Sequence, residues 1–304
     1  MIVDTIVTPD WLIQNFEKVK IIDATFTPKA KLSQEQRQLY YGNFDKLTTD
    51  FVETSYSEEH IPGATHFSLD SGYYPSEYIR YDFYPSEIFQ KYIRLLGVNS
   101  TDHIVIYSRG PAAGMMFASR VYWTFRVYGF DRVSILNGGL DAWKTAGGKV
   151  SNEKVEVILG DAIAKDYNMN ILKYFEDIPF NKLQESRIDY IDVRTANQYT
   201  GVEPLTTTFP GTKATGSHVK GAINFPMANF INQNGFKSKE EIDEMVKSLG
   251  LKNEKEVIVA CNTGIQASVA FVALQRSGVK VKVYNGSMAE LAFRAPELVN
   301  VTGN

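Results

Sequence analysis

Short runs of β-branched and aliphatic residues alternate along the chain with longer stretches whose apolar positions recur every three or four residues. Ile104-Val105-Ile106-Tyr107 and Val257-Ile258-Val259-Ala260 are apolar at every position and end at polar or glycine-bearing turns. A strand without polar alternation is one buried on both faces, as in a parallel sheet covered by helices. The pattern predicts strands near 20–24, 103–107 and 132–136, and again near 188–192, 256–260 and 280–284. Helices are predicted over 115–128 and 266–277, each opening just after a loop, at 110 and 263. The class is therefore α/β with a mostly parallel sheet, and the layout occurs twice.

The repetition extends to the turns. IIDAT at 21–25, HIPGATHFSL at 60–69, HIVIYSRG at 103–110 and VSILNGGLDAW at 133–143 have counterparts later in the chain. In the same order these are YIDVR at 190–194, HVKGAINFPM at 218–227, EVIVACN at 256–262 and VKVYNGSMAEL at 281–291. The offset falls from 169 between Asp23 and Asp192 to 148 between Asn137 and Asn285, as it does when loops differ in length. Four pairs in one order point to a duplicated domain, the first copy over 1–148 and the second over 165–304. The polar stretch 147–170 opens on Gly147-Gly148 and reads as the linker. The charged segment 28–59 and the Thr/Gly/Pro-rich segment 206–216 are predicted as surface loops, of a length that often serves as a lid.

A chain of 304 residues is long enough for two domains, each with its own core, and 44% hydrophobic with 22% charged residues is an ordinary globular composition. Lys plus Arg number 32 against 35 Asp plus Glu, a net charge of −3 without a basic block, which argues against nucleic acid as a partner. No apolar window of about 18 residues and no signal-like N-terminus appear, so the expectation is a soluble cytoplasmic protein with no membrane partner. Cys261 is the single cysteine, which forbids an intrachain disulfide and a thiolate metal cluster. Any chemistry of this thiol is its own.

Cys261 directly follows an apolar strand and precedes Asn262-Thr263-Gly264-Ile265-Gln266-Ala267, where a helix begins. The carboxyl end of a parallel strand is where such sheets bind ligands. Backbone N–H groups curling round the loop, with Gly264 permitting the turn, form a nest for an anion, and the helix dipole adds to it. The same field stabilises a thiolate. The alternative is a buried small hydrophobe, the ordinary fate of a lone cysteine. At the matching place the first copy reads Ser108-Arg109-Gly110-Pro111, without a thiol.

Taken together these motifs resemble the two-domain rhodanese family of sulfurtransferases, which includes thiosulfate and 3-mercaptopyruvate sulfurtransferases. The resemblance rests on Asp23, HIPGA at 60–64, SRVYW at 119–123 and LNGGLDAW at 136–143, then on Asp192 to Arg194, HVKGA at 218–222, the Cys261 loop and YNGS at 284–287. It implies two tandem rhodanese-like domains, only the second catalytic. It also implies a persulfide on Cys261, filled by a small sulfur donor and emptied by cyanide, a small thiol or thioredoxin, with no metal or organic cofactor. Asn262, Gly264, Ile265, Gln266, Ala267 and Arg194 are the residues it would place around the substrate.

Thiosulfate enzymes of that family carry two basic residues after the cysteine, whereas mercaptopyruvate enzymes carry a small residue and a hydroxyl. Asn262 and Thr263 resemble the second pattern, so 3-mercaptopyruvate is expected ahead of thiosulfate. Two arginines that hold the donor's carboxylate in mercaptopyruvate enzymes are replaced here by Gln198 and Thr207. Arg194, Lys213 or Lys220 could stand in, although Arg194 could equally pair with Asp192. His60 corresponds to a histidine proposed in those enzymes to cooperate with the hydroxyl two residues after the cysteine, here Thr263, with Asp50 as an acidic partner. The alternative is that His60, like His218, fixes a turn by hydrogen bonding. His66 and His103 are expected to be structural. The aromatic residues Tyr73, Tyr74, Tyr78, Tyr81, Phe83 and Tyr84 read either as a cleft wall or as packing.

A phosphatase of related fold needs an arginine six residues after the cysteine, where this chain has Ala267. The remaining rival to an enzyme is a degenerate module kept as a sulfur carrier or binding protein, a reading the Gln198 and Thr207 departures favour.

Overall fold

The computed structural model describes residues 3–29, 32–251 and 254–303. They divide into two compact units, one of residues 1–75, 83–168 and 231–236, the other of residues 76–82, 169–230 and 237–304.

The first unit holds a five-stranded sheet of β1 (Ile6–Val7), β2 (Lys20–Asp23), β3 (Thr65–His66), β4 (Ile104–Tyr107) and β5 (Val133–Leu136). Every pairing is parallel and the order is β1-β5-β4-β2-β3. The second unit repeats it with β6 (Leu172–Lys173), β7 (Ile188–Asp192) and β8 (Ile223–Asn224). A short antiparallel hairpin, β9 (Ile231–Asn232) and β10 (Gly235–Phe236), then belongs to the first unit, where Phe236 N donates to Asn137 Oδ1 at 2.9 Å. β11 (Glu256–Ala260) and β12 (Val281–Tyr284) complete the second sheet in the order β6-β12-β11-β7-β8, again parallel throughout. The central strands β4 and β11 are buried along their apolar runs, as their lack of alternation predicts.

Helices Met115–Val127 and Ile265–Arg276 follow β4 and β11. Both are buried round most of their circumference, because each is apolar on nearly every face and packs beneath its sheet. The six strands and two helices expected from the sequence agree to within one or two residues; the edge strands β1, β3, β6 and β8 were not among them.

The segment 28–59 departs from expectation. It contains the helices Gln34–Tyr40, Phe44–Asp50 and Thr54–Glu58 rather than a loop. Ser33 and Gln36 form a capping box, and Asn43 caps the second helix. Phe44 and Leu47 anchor that helix, with Phe44 stacked on Tyr92 at 5.1 Å. Segment 206–216 is likewise pinned, since Leu205 and Phe209 are buried in the second core and Thr212 Oγ1 donates to Ala292 O at 2.6 Å. Part of the stretch read as a linker is bonded into the first unit: Gly160 N donates to Arg94 O, Ala162 N to Val98 O and Lys165 N to Tyr128 O.

The aromatic residues fall in both units. Tyr73, Phe83 and Tyr84 are buried in the first, where Tyr73, Phe83 and Trp123 surround the buried Arg120 guanidinium. Tyr78 and Tyr81 belong to the second unit.

Candidate active site

The site is built where β11 ends. Ala260 is the last residue of that strand, paired with Asp192 at the end of β7, so the cysteine loop and the Asp192 turn emerge side by side. Cys261 follows, 2% exposed, and three residues separate the strand from Gly264 at the helix cap. Gly264 has φ +80°, a left-handed value that only glycine adopts without strain, and it contributes no capping side chain. The first-turn N–H groups of Ile265, Gln266 and Ala267 therefore open a 12-residue helix without a side-chain cap.

The backbone of the loop is held from a neighbouring turn. Met288 N donates to Cys261 O at 3.0 Å, Ala289 N to Asn262 O at 2.9 Å, and Cys261 N to Ser287 Oγ at 3.1 Å. Ser268 Oγ donates to Gly264 O at 2.9 Å, tying the glycine to the helix it starts. Two side-chain carbonyls, Asn262 Oδ1 in the loop and Gln266 Oε1 in the first helix turn, are buried with no hydrogen-bond partner among the described residues. As acceptors they suit a hydrogen-bond donor rather than an anion. Thr263 is half-buried in the same loop.

Arg194 is not available as a free cation. Its guanidinium donates to both oxygens of Asp192, at 3.0 Å from Nε and 2.6 Å from Nη2, and Nη2 also donates to Ser217 O at 2.8 Å. Burial works against its charge, but Asp192 overrides that and raises its pKa above the ordinary value, with Tyr190 and Cys261 adding to the effect. Arg194 therefore contributes a fixed positive charge in the neighbourhood of the thiol. Tyr190, fully buried, is pushed well above the usual phenol value by burial first and by Asp192 second.

Gln198, at the position of a family arginine, donates from Nε2 to Glu203 Oε1 at 3.2 Å, and its Oε1 is buried without a partner among the described residues. Thr207, Lys213 and Lys220 are exposed.

His60 lies in the first unit, 2% exposed. Nδ1 is bonded to Tyr56 O at 2.9 Å and the ring stacks on Tyr56 at 4.4 Å, while Nε2 is buried without a partner among the described residues. His218 has the twin arrangement on Tyr199, 2.8 Å from Nδ1 to the carbonyl and 3.8 Å between rings. Asp50 does not serve His60: it accepts from Tyr40 Oη at 2.8 Å and pairs with Lys46 at 3.1 Å. His66 and His103 are held by Thr25 O and Ser134 Oγ, both at 2.8 Å. Ser287 and the orphaned carbonyls are the features sequence reading missed; the motif pairing of Gly139 with Ser287 was the signal available for the first.

The rhodanese-like domain family matches residues 8–146 and 180–292, most of both units. The chain belongs to the rhodanese-like family. It is 36% identical over 99% of its length to the Caenorhabditis elegans protein mpst-4, provisionally named a thiosulfate sulfurtransferase, covering 88% of that protein. It is 34% identical to the thiosulfate sulfurtransferase of Bos taurus, over 79% of this chain and 80% of that one. The crystal structure of SseA from Escherichia coli, described under 3-mercaptopyruvate sulfotransferases, superposes with a TM-score of 0.73 at 27% identity, over 94% of this chain and 99% of that one. This rhodanese-family chain is a sulfurtransferase with two α/β domains. No helix among the described residues is long and apolar enough to cross a membrane.

Proposed function

We propose that the chain moves a sulfane sulfur from a small donor, 3-mercaptopyruvate ahead of thiosulfate, through a persulfide on Cys261 to a thiol or cyanide. With 3-mercaptopyruvate the thiolate attacks the donor sulfur, the carbon–sulfur bond breaks and its electron pair leaves on the pyruvate enolate; with thiosulfate the sulfur–sulfur bond breaks and sulfite leaves. The enolate takes the proton that the new persulfide releases. An acceptor thiolate, of a small thiol or of thioredoxin, then attacks the outer sulfur and restores the Cys261 thiolate. The observation that carries this reading is the place of Cys261 at the end of β11, three residues before the left-handed Gly264 that opens helix Ile265–Arg276 with no side-chain cap.

In this scheme Cys261 is the nucleophile, and the backbone from Asn262 to Ala267 holds the sulfur anion. Thr263 supplies a hydroxyl to the leaving enolate. Arg194 supports the thiolate as a buried charge held by Asp192. Neutral Asn262 and Thr263 suit a monoanionic donor better than the thiosulfate dianion. The scheme as written uses no metal or organic cofactor. The test is a steady-state assay with both donors on the native chain and on Cys261→Ser, with intact mass read after donor exposure. Turnover and gain of one sulfur atom, both lost in Cys261→Ser, support the scheme; a folded native chain that gains no sulfur from either donor overturns it in favour of a binding module.

A further inference from the structure

The turn that follows β12 contains a left-handed residue, Ser287, whose hydroxyl bonds the Cys261 amide. Asn285-Gly286-Ser287-Met288 repeats Asn137-Gly138-Gly139-Leu140 of the first unit. The two turns do the same backbone work: Leu140 N donates to Ser108 O at 3.3 Å, and Met288 N to Cys261 O at 3.0 Å. Gly139 has φ +60°, and a Cβ added there would lie 2.1 Å from Ser108 O, so that turn has no room for a side chain. Ser287 adopts φ +50° with a side chain present, and it is fully buried. A left-handed non-glycine residue costs free energy that glycine at the same place does not.

What the strained serine does is specific to the thiol-bearing copy. Its Oγ accepts from Cys261 N at 3.1 Å and donates to Tyr284 O at 2.8 Å. Together with the bonds from Met288 and Ala289, the cysteine is gripped at its N–H and its C=O, and the next residue at its C=O. The φ of Cys261, and with it the direction in which Cβ carries the sulfur, is then fixed by a neighbour 26 residues away. Strain that survives in a buried turn, where glycine is the residue used in the sister copy, is the mark of a functional constraint.

We propose that Ser287 is a positioning residue for the reaction, its hydroxyl orienting the Cys261 backbone so that the sulfur faces the N–H groups of the following helix turn. It touches no substrate and acts through Cys261. This rests on the persulfide scheme above, and the experiment separates the two.

Ser287→Gly removes the hydroxyl and the strain together, and Ser287→Ala removes the hydroxyl alone. Each is compared with the native chain for thermal midpoint, kcat and KM, persulfide lifetime by intact mass, and the pH profile of Cys261 alkylation by iodoacetamide. Expected are a thermal midpoint for Ser287→Gly at or above that of Ser287→Ala, kcat lower by about tenfold in both variants with KM within about twofold, a shorter-lived persulfide, and an alkylation midpoint displaced to higher pH. Native-like kcat and alkylation profile in the folded variants overturn the inference, as does a loss of kcat that only follows the loss of folded protein. If the native chain gains no sulfur the persulfide scheme fails, while the alkylation profiles still decide whether Ser287 orients the thiol.

Discussion

The loops after β4 and β11 leave the same position in the same sheet order and reach the same kind of left-handed glycine, Gly114 and Gly264, yet they are opposites in chemistry. The first takes six residues, 108–113, including Ala112 and Ala113 at φ +57° and +52°; the second takes three, 261–263. Ser108 Oγ turns inward, donating to Gly114 O at 2.6 Å and accepting from Ala118 N at 3.2 Å. Arg109 bonds Glu59 O and lies 3.6 Å from Asp23. The first loop thus directs the Ser108 hydroxyl and most of the Arg109 guanidinium to its own unit, whereas in the second the Asn262 and Gln266 carbonyls have no partner among the described residues. A duplicated fold preserves strand, glycine and helix, and function follows from which copy leaves its loop unfilled.

Moving the thiol is the harshest way to break the comparison. Ser108→Cys placed in a Cys261→Ser chain should restore no turnover, leaving activity at least about a thousandfold below native, because the first loop is three residues longer and turns residue 108 inward against Gly114 and Ala118. Recovery of donor-dependent sulfur uptake on residue 108, read by peptide mass, would show the two loops to be equivalent.

The strand-end ion pairs sharpen it next. Asp192 and Arg194 are both almost fully buried and hydrogen-bonded, whereas Arg109 is partly exposed and lies 3.6 Å from Asp23, an ion pair without a hydrogen bond. Arg194→Ala strands a buried carboxylate and should cost about 3–5 kcal/mol, whereas Arg109→Ala should cost about 1–2 kcal/mol. Urea unfolding of the two variants measures both, and equal losses would erase the distinction.

The paired histidines give the smallest effect. Burial first lowers the pKa of His218 below its ordinary 6.5, with the Tyr199 carbonyl partly opposing. A histidine held neutral in the fold adds stability that is complete above about pH 6.5 and is lost as pH falls toward its lowered folded-state value. Stability measured from pH 7.5 to 5 should therefore decline, and His218→Gln should flatten the decline without moving the acid limb of kcat. His60→Gln removes the twin of that arrangement on Tyr56 and should likewise lower stability without moving the limb; a displaced limb would set the two histidines apart.

The strands, the two long helices, the duplication and the place of Cys261 were legible in the sequence because each depends on local periodicity or on a motif repeated within the chain. Segment 28–59 was misread because its charged composition hides three short helices, although Ser33 and Gln36 carried a capping signal. Tertiary structure alone decided that Arg194 is consumed by Asp192 and Ser217, that Ser287 holds the Cys261 amide, and that the Asn262 and Gln266 carbonyls are buried without partners among the described residues. Hydrogen-bond satisfaction of a buried group depends on atoms brought close through space from distant parts of the chain, and no local pattern of residues records which of them arrive.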